Sequence, residues 1–592
     1  MGFVWDEIKE ELFRFECDTL VSASAGTGKT AALVELYLRI AEGRTALGDG
    51  VSPYNILTLT FTRKAAGEMR ERLREALLAK LRETPDNPRH IQMLDRLSEA
   101  FIGTFDAFCM NLLRENHFEA GLPPDFSLLP DDEPYRLLRE STHKVMRLLL
   151  SQSHKGMLLL LGHSNFDQVA ADLFNVARAS EILSGPRPDF QAEKEELPII
   201  MNSELDEFRS GVSRVSGLVA EGLKCSDNFR AGIHGLISEI ESLDRPDIRP
   251  TPDTPRRTGT EFFIGPQGLH TAFNRIQHGS WPKEIKDIRK ELASRLKKAQ
   301  NAFERIFAID EAEAAFDIAV LIRRDYSETK AAMGMLDFED TLETATELLA
   351  THRDIREQWL SRFDVVLVDE FQDTNRRQLR LVNLLSRDDE FIAKGARPTR
   401  RLYVGDRKQS IYRFRGADVS VFRQIENEWK SRSDAKILHF RRNFRSDARL
   451  LQFSNALFGR LLNDGTQDYQ SAYSSDDDLL PGLEFSSGAA PVELLRVAKS
   501  LSGRQEDRLR VEAEAVAARL REIVTEEGFY VGPAEEKRKA AFEDVAVLVR
   551  KGRMMPAFEQ AFRRAGLPFT VVNGAGLFER SETRDLIAAA RL

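Results

Sequence analysis

Ala23-Ser24-Ala25-Gly26-Thr27-Gly28-Lys29-Thr30 follows the apolar pair Leu20-Val21 and sets glycines, a lysine and a hydroxyl at the spacing of a phosphate-binding turn. Backbone N–H groups of such a turn, and of the helix it opens, can surround a triphosphate. Lys29 is placed to reach the β- and γ-phosphates, and Thr30 to hold Mg²⁺. Ala23 stands where the general pattern has its first glycine, so the match reads Ala-x-x-Gly-x-Gly-Lys-Thr. A second block, Val365-Val366-Leu367-Val368-Asp369-Glu370, suits a strand buried on both faces that ends in two acids. At the carboxyl edge of a parallel sheet, Asp369 would act on the Mg²⁺ shell and Glu370 on the water that attacks the γ-phosphate. Taken singly, a chance glycine-rich turn and a strand running into a solvated acidic turn are the plain alternatives.

Such residues need a parallel α/β scaffold. Residues 1–111 read as its first part, with strands ending at the phosphate loop and at Thr60 and a helix from Lys64 to Lys80. Residues 112–326 change to helical periodicity, where Ile285, Ile288, Leu292 and Leu296 form a stripe continued by Phe303, Ile306 and Phe307. This is a helical insertion, interrupted by a Pro-rich basic loop over 245–257 that reads as a surface connector. The α/β signal resumes over 327–438, and a second α/β unit begins within 439–592. In that unit 492–497, 545–549 and 568–572 read as strands, Glu506 to Thr525 as a helix, and Asp476-Asp477-Asp478 as part of a loop.

A chain of 592 residues has room for about three or four domains. Its net charge of −9 argues against an indiscriminate polyanion binder. Cations nevertheless cluster at Arg397, Arg400, Arg401, Arg407, Lys408, Arg413 and Arg415, and again at Arg441, Arg442, Arg445 and Arg449, which reads as a local basic track. The three cysteines, Cys17, Cys109 and Cys225, form neither a CxxC pair nor a zinc spacing, which argues against disulfides and structural metal. The start is acidic without a signal-type apolar core, and the longest apolar run, near Met157 to Leu161, is too short to span a bilayer. The expectation is a cytoplasmic protein without a membrane segment.

Asp369-Glu370-Phe371-Gln372-Asp373 resembles the second helicase motif of UvrD/Rep-type superfamily 1 DNA helicases. Further blocks follow in that family's order. They are Thr60-Phe61-Thr62-Arg63-Lys64-Ala65-Ala66-Gly67-Glu68-Met69, Gly103-Thr104-Phe105-Asp106-Ala107-Phe108-Cys109, Leu336-Asp337-Phe338-Glu339-Asp340, the run from Val404 to Asp418, and Asn443-Phe444-Arg445-Ser446. The phosphate-loop phrase and the long insertion after Cys109 look more like the RecB/AddA branch. The resemblance implies a P-loop NTPase of the RecA-like α/β class: a parallel-sheet motor domain with a large helical insertion and the first part of a second RecA-like domain.

It also implies residue roles. ATP and Mg²⁺ would be the cofactors, with residues 23–30 and Phe444 binding nucleotide, and Thr30 and Asp369 serving the metal. Glu370, Asp369, Gln409 and Arg445 would form the catalytic set, Gln409 sensing the γ-phosphate and Arg445 acting as an arginine finger. Thr60, Phe61, Thr62, Tyr412 and Phe414 would contact DNA, with Phe61 and Phe414 stacking on unpaired bases. Tyr412 and Arg415 would support that loop, Arg415 by pairing with Glu370. The expected activity is ATP-driven 3′ to 5′ translocation on single-stranded DNA with duplex unwinding, in double-strand break repair and recombination. Single-stranded and duplex DNA would be partners, and the branch admits a helicase-nuclease partner subunit.

Departures from the family pattern accompany these expectations. No Gln lies between Met1 and Leu20 to read adenine, Ala31 stands where an Arg often covers the base, and Asp106 replaces a frequent His. The last motifs of such helicases are not found after Asp585, and no nuclease segment is seen. The 592 residues alone are therefore expected to bind Mg-ATP, and to need a further polypeptide for unwinding. The alternative function is a non-catalytic, ATP-modulated DNA-binding module.

Overall fold

The computed structural model describes residues 5–130, 133–179, 185–242, 281–387, 397–413, 416–462, 472–483, 492–496, 505–525, 529–532 and 537–572, with a few isolated positions besides. The basic loop at 245–257, Phe414 and Arg415 lie outside the described residues. Two compact units emerge, one made of Met1–Leu122 with Phe338–Leu592, the other of Pro123–Asp337.

The described strands are, in chain order, β1 (Asp18–Ala23), β2 (Ile56–Thr60), β3 (Ile102–Thr104), β4 (Ser127–Leu128), β5 (Met335–Leu336), β6 (Val365–Val368), β7 (Arg400–Gly405), β8 (Ala435–Phe440), β9 (Arg442–Asn443), β10 (Leu480–Pro481), β11 (Tyr530–Val531) and β12 (Arg538–Lys539). Six of them build one sheet in the order β3-β2-β6-β7-β1-β8, with every neighbouring pair parallel. Residues of β6 alternate between its two faces. Val365 and Leu367 join a core with Leu33, Leu36, Leu73 and Leu77 from the helices Lys29–Ala41 and Arg63–Glu83. Val366 and Val368, on the opposite pleat, are equally buried, which is why the strand reads as an unbroken apolar run. Just past β6, the Phe371 ring stacks on Tyr403 of β7 at 4.3 Å, and Tyr403 stacks on Trp429 at 4.9 Å.

Helices dominate the second unit. The 47-residue helix Lys286–Ala332 is about 70 Å long. It supplies Leu292 and Leu296 to one apolar cluster, Ile306 and Ile309 to a second, and Ile318, Ile322 and Tyr326 to a third. The helix Phe190–Ala220 runs antiparallel to it: Glu204 pairs with Arg295, while Glu193, earlier in the chain, pairs with the later Arg305. Of the expected stripe, Ile285, Leu292 and Leu296 are buried and Ile288 is half-buried. No helix among the described residues is long and apolar enough to cross a membrane.

Several expected elements fall differently. Position 112 lies inside the helix Phe105–Glu115 and position 326 inside the helix Lys286–Ala332, so the units divide at Leu122/Pro123 and Asp337/Phe338. Position 438 lies inside β8, which pairs with β1 along its whole length and so belongs to the first sheet. Among the described residues, 492–496, 545–549 and 568–572 form no strands. A strand exists only through a neighbour's backbone hydrogen bonds, and Leu494 and Leu548 are 82% and 94% exposed. What these residues flank is a two-helix layer, in which Ala513 and Ala517 of the helix Gln505–Thr525 meet Phe558 and Phe562 of the helix Met555–Arg564.

The helical unit closes on a buried charge. Lys330, 1% exposed, donates to Asp337 Oδ2 at 2.6 Å, and the same oxygen accepts from the Tyr326 hydroxyl at 2.8 Å. Removing one member of a buried pair strands the other, at about 3–5 kcal/mol. Asp337→Ala should therefore lower the unfolding midpoint in denaturant by a corresponding amount; a loss below about 1 kcal/mol would show that Lys330 finds other compensation.

Candidate active site

Parallel pairing in the order β6-β7-β1 brings the carboxyl ends of those three strands side by side. From β1 comes the glycine turn, with Gly26 and Gly28 at φ +80° and +86°. A Cβ at Gly26 would lie 2.7 Å from Asn443 Nδ2 and 2.9 Å from Arg445 Cβ, so only glycine lets the segment after β8 lie against the loop. That segment clasps it: Asn443 Nδ2 donates to the Ala25 carbonyl and the Phe444 N–H to the Gly26 carbonyl, each at 2.8 Å. Thr27 is fully buried, and its hydroxyl donates to the Ser24 carbonyl. The helix Lys29–Ala41 starts at Gly28 with no side-chain cap, so the first-turn N–H groups of Lys29 and Thr30 suit an anion. Ala23, buried at the end of β1, leads into this turn through Ser24 and Ala25.

From β6 come the acids. Glu370 adopts a left-handed conformation (φ 51°) that turns the chain sharply into Phe371–Asp373. Its Oε2 lies 3.3 Å from Lys29 Nζ and accepts from Gln372 Nε2 at 2.7 Å. Asp369 Oδ1 accepts the Glu370 N–H. Burial and the Glu370 charge push both Asp369 and Asp373 up to about 6, with Lys29 opposing. Two carboxylates with raised pKa values, next to Glu370 and one lysine, make a site short of positive charge, which a divalent cation would supply. The glycine turn and these acids therefore fit Mg-ATP.

From β7 comes the segment holding Gln409. Gln372 Oε1 accepts the Asp406 N–H at 2.9 Å, and a Cβ on Gly405 would lie 2.5 Å from that oxygen. Burial alone would raise the Asp406 pKa, but Lys408, Gln409 and Ser24 together hold it below the ordinary value. Gln409 Nε2 donates to Asp406 Oδ2 at 2.8 Å. One continuous path of hydrogen bonds thus runs from Lys29 through Glu370, Gln372 and Asp406 to Gln409. Arg445 is exposed, and its N–H donates to Asn443 Oδ1.

The remaining expected positions separate. The Phe61 and Tyr412 rings lie 5.2 Å apart, which brings the ends of β2 and of the segment after β7 together. Thr62 caps the helix Arg63–Glu83 by accepting the Ala65 N–H. Thr60 is 1% exposed and its hydroxyl donates to the Thr62 carbonyl, so a direct DNA contact by its side chain is corrected to a structural one. Phe444 carries the Lys9 ammonium 4.7 Å from its ring centroid, which occupies one of the faces available to a base. Part of the basic cluster is paired internally: Arg401 with Asp18, Arg407 with Glu426 and Asp477, Lys408 with Asp406 and Asp477, and Arg449 with Asp447. Arg413, Arg442 and Arg445 are exposed. Gln372, Asp406 and Asn443 stand inside the motifs, yet spacing gives them no role; for Gln372 and Asn443 the available signal was that an amide can donate and accept at once.

Residues 6–430 match the UvrD/REP helicase N-terminal domain family, and residues 438–592 the UvrD-like helicase C-terminal domain family. The chain belongs to the UvrD/REP helicase family. Among its relatives, an ATP-dependent helicase/nuclease subunit of Exiguobacterium sibiricum is 28% identical over 96% of this chain and 49% of its own length. The proteins of the same name from Staphylococcus carnosus and Geobacillus thermodenitrificans are 25% and 26% identical, over 99% and 97% of this chain. The chain spans about half the length of the curated relatives it matches.

Two outcomes follow from this geometry. Gly26→Ala should weaken binding of a fluorescent ATP analogue by about ten-fold or more, equivalent to about 1.4 kcal/mol, while far-ultraviolet circular dichroism stays unchanged. Carboxylates hold a cation only when deprotonated, so Mg²⁺-dependent binding should fall as pH drops through about 6. Asp369→Asn should flatten that profile in the same titration.

Proposed function

We propose that this chain is the ATP-binding portion of a DNA helicase or translocase of the UvrD/RecB/AddA type. Its reaction is ATP hydrolysis coupled to 3′ to 5′ movement on single-stranded DNA, in the repair and recombination of double-strand breaks. The observation that carries this reading is the hydrogen-bonded path from Lys29 to Gln409 across three parallel strand ends. Mg-ATP would supply the phosphoanhydride, and its Mg²⁺ ion the positive charge that the acids lack. In this reading the glycine turn and Lys29 hold phosphate oxygens, Glu370 takes up a proton from water, and Gln409 and Arg445 respond to the γ-phosphate. Phe61 and Tyr412 offer aromatic faces to unpaired bases on the same unit, and Phe414 belongs to that proposed set. The relatives' name, a subunit of an ATP-dependent helicase/nuclease, supports a nuclease-bearing assembly as the partner.

DNA-stimulated ATP hydrolysis is the deciding measurement. Glu370→Gln should retain Mg-ATP affinity within about two-fold and lose hydrolysis by about 10²-fold or more, since its carboxylate acts on water. Lys29→Ala should lose binding as well. Wild-type hydrolysis by the Glu370→Gln protein would remove that residue from the role given to it.

A further inference from the structure

The acidic run Asp476-Asp477-Asp478 lies in a stretch the sequence presents as a polar loop, and the proposed reaction makes no use of it. In the structure Asp477 is buried, its side chain 2% exposed, within the short turn Ser475–Asp477. Its Oδ1 accepts from Lys408 Nζ at 2.6 Å and its Oδ2 from Arg407 Nη2 at 3.0 Å. The Ser474 N–H and hydroxyl also donate to Oδ2, at 2.8 and 3.0 Å. Arg407 is held from its other side by Glu426, at 3.1 Å. Burial alone would raise the Asp477 pKa, yet Lys408 and Arg407 hold it at about 2.

The same stretch also grips the other arm of the site. Leu480–Pro481 pairs in parallel with Arg442–Asn443, the Leu480 and Gly482 N–H groups donate to the Arg441 and Asn443 carbonyls, and Arg441 Nε donates to the Asp478 carbonyl. Residues 473–482 are therefore a strap that joins the segment holding Gln409 to the segment holding Arg445. These are the two pieces that answer to the γ-phosphate in the proposed reaction.

We infer that Asp477 is a positioning residue: by fixing Arg407 and Lys408 it sets the 406–409 segment, and with it the Gln409 amide, in register with Asn443–Arg445. Lys408 shares its ammonium between Asp477 and Asp406. Without Asp477 that charge turns wholly to Asp406, where it competes with Gln409 and with Ser24 of the phosphate loop for the same carboxylate. The inference rests on reading this edge as an ATP-hydrolysing site.

Its test compares Asp477→Asn, Asp477→Glu and the neighbouring Asp478→Asn in the intact natural polypeptide. Asp477→Asn should lower DNA-stimulated kcat about ten-fold or more while the affinity for a fluorescent ATP analogue stays within about two-fold, and Asp477→Glu should recover part of the rate. Asp478→Asn keeps an oxygen for the Tyr473 hydroxyl and should behave as wild type. Hydrogen exchange on the nucleotide-free protein should rise across 406–413 in Asp477→Asn and not in Asp478→Asn. Unchanged exchange in that segment overturns the inference whether or not the polypeptide hydrolyses ATP. An equal loss of rate in both Asn variants, or a loss of nucleotide binding that accounts for the whole effect, also overturns it. If the wild type itself shows no hydrolysis, the proposed function fails, and the exchange result still decides the positioning role.

Discussion

Asp369, Glu370, Asp373 and Asp406 are gathered at the ends of two adjacent strands, with Lys29 as the cation beside Glu370. This excess of negative charge is the constraint on which the surrounding structure depends. It can be tolerated because each carboxylate is given a different remedy. Asp406 is surrounded by donors and held charged, Glu370 is paired with Lys29 and Gln372, and Asp369 and Asp373 are left with raised pKa values. Those two are the groups that a bound cation would stabilise most, because they gain most from losing their protons to it.

Backbone geometry makes the gathering feasible. In an all-parallel sheet the loops that follow neighbouring strands must emerge at one edge, so β1, β6 and β7 deliver the glycine turn, the acids and the Gln409 segment together. Glycine at 26 and 405 then permits approach closer than any side chain would allow, by Asn443 in one case and Gln372 in the other. The left-handed Glu370 is a cost of the same arrangement, since a non-glycine residue in that conformation persists only where its surroundings demand it. Buried Phe371 next to it, stacked on Tyr403, supplies such surroundings.

Some of the charges that the sequence presents as a basic surface serve inside the molecule. Arg401 pairs with the buried Asp18, and Arg407 and Lys408 meet Asp477 from some seventy residues further along the chain. The consequence is rigidity where a nucleotide-responsive segment begins. The aromatic pair Phe61 and Tyr412 remains partly exposed beside it, and the neighbouring Arg63, Lys64 and Arg413 are exposed, so the surface offered to a polyanion is both aromatic and cationic at this point.

By itself the sequence determined the chemistry of the phosphate turn, the apolar strand ending in Asp369 and Glu370, the helical stripe from Ile285 to Leu296 and the α/β class, because each is encoded by spacing within a few residues. Local spacing could not tell which cations are free, since Asp18, Glu426 and Asp477 reach Arg401, Arg407 and Lys408 only across the fold. Nor could it show that Thr60 turns inward, that Lys9 lies over Phe444, or that the apolar runs at 492–496 and 545–549 lack a neighbour to pair with among the described residues. Those were decided by tertiary structure, for one reason: a hydrogen bond, an ion pair or a strand needs a second partner, and here the partner lies far away in the chain.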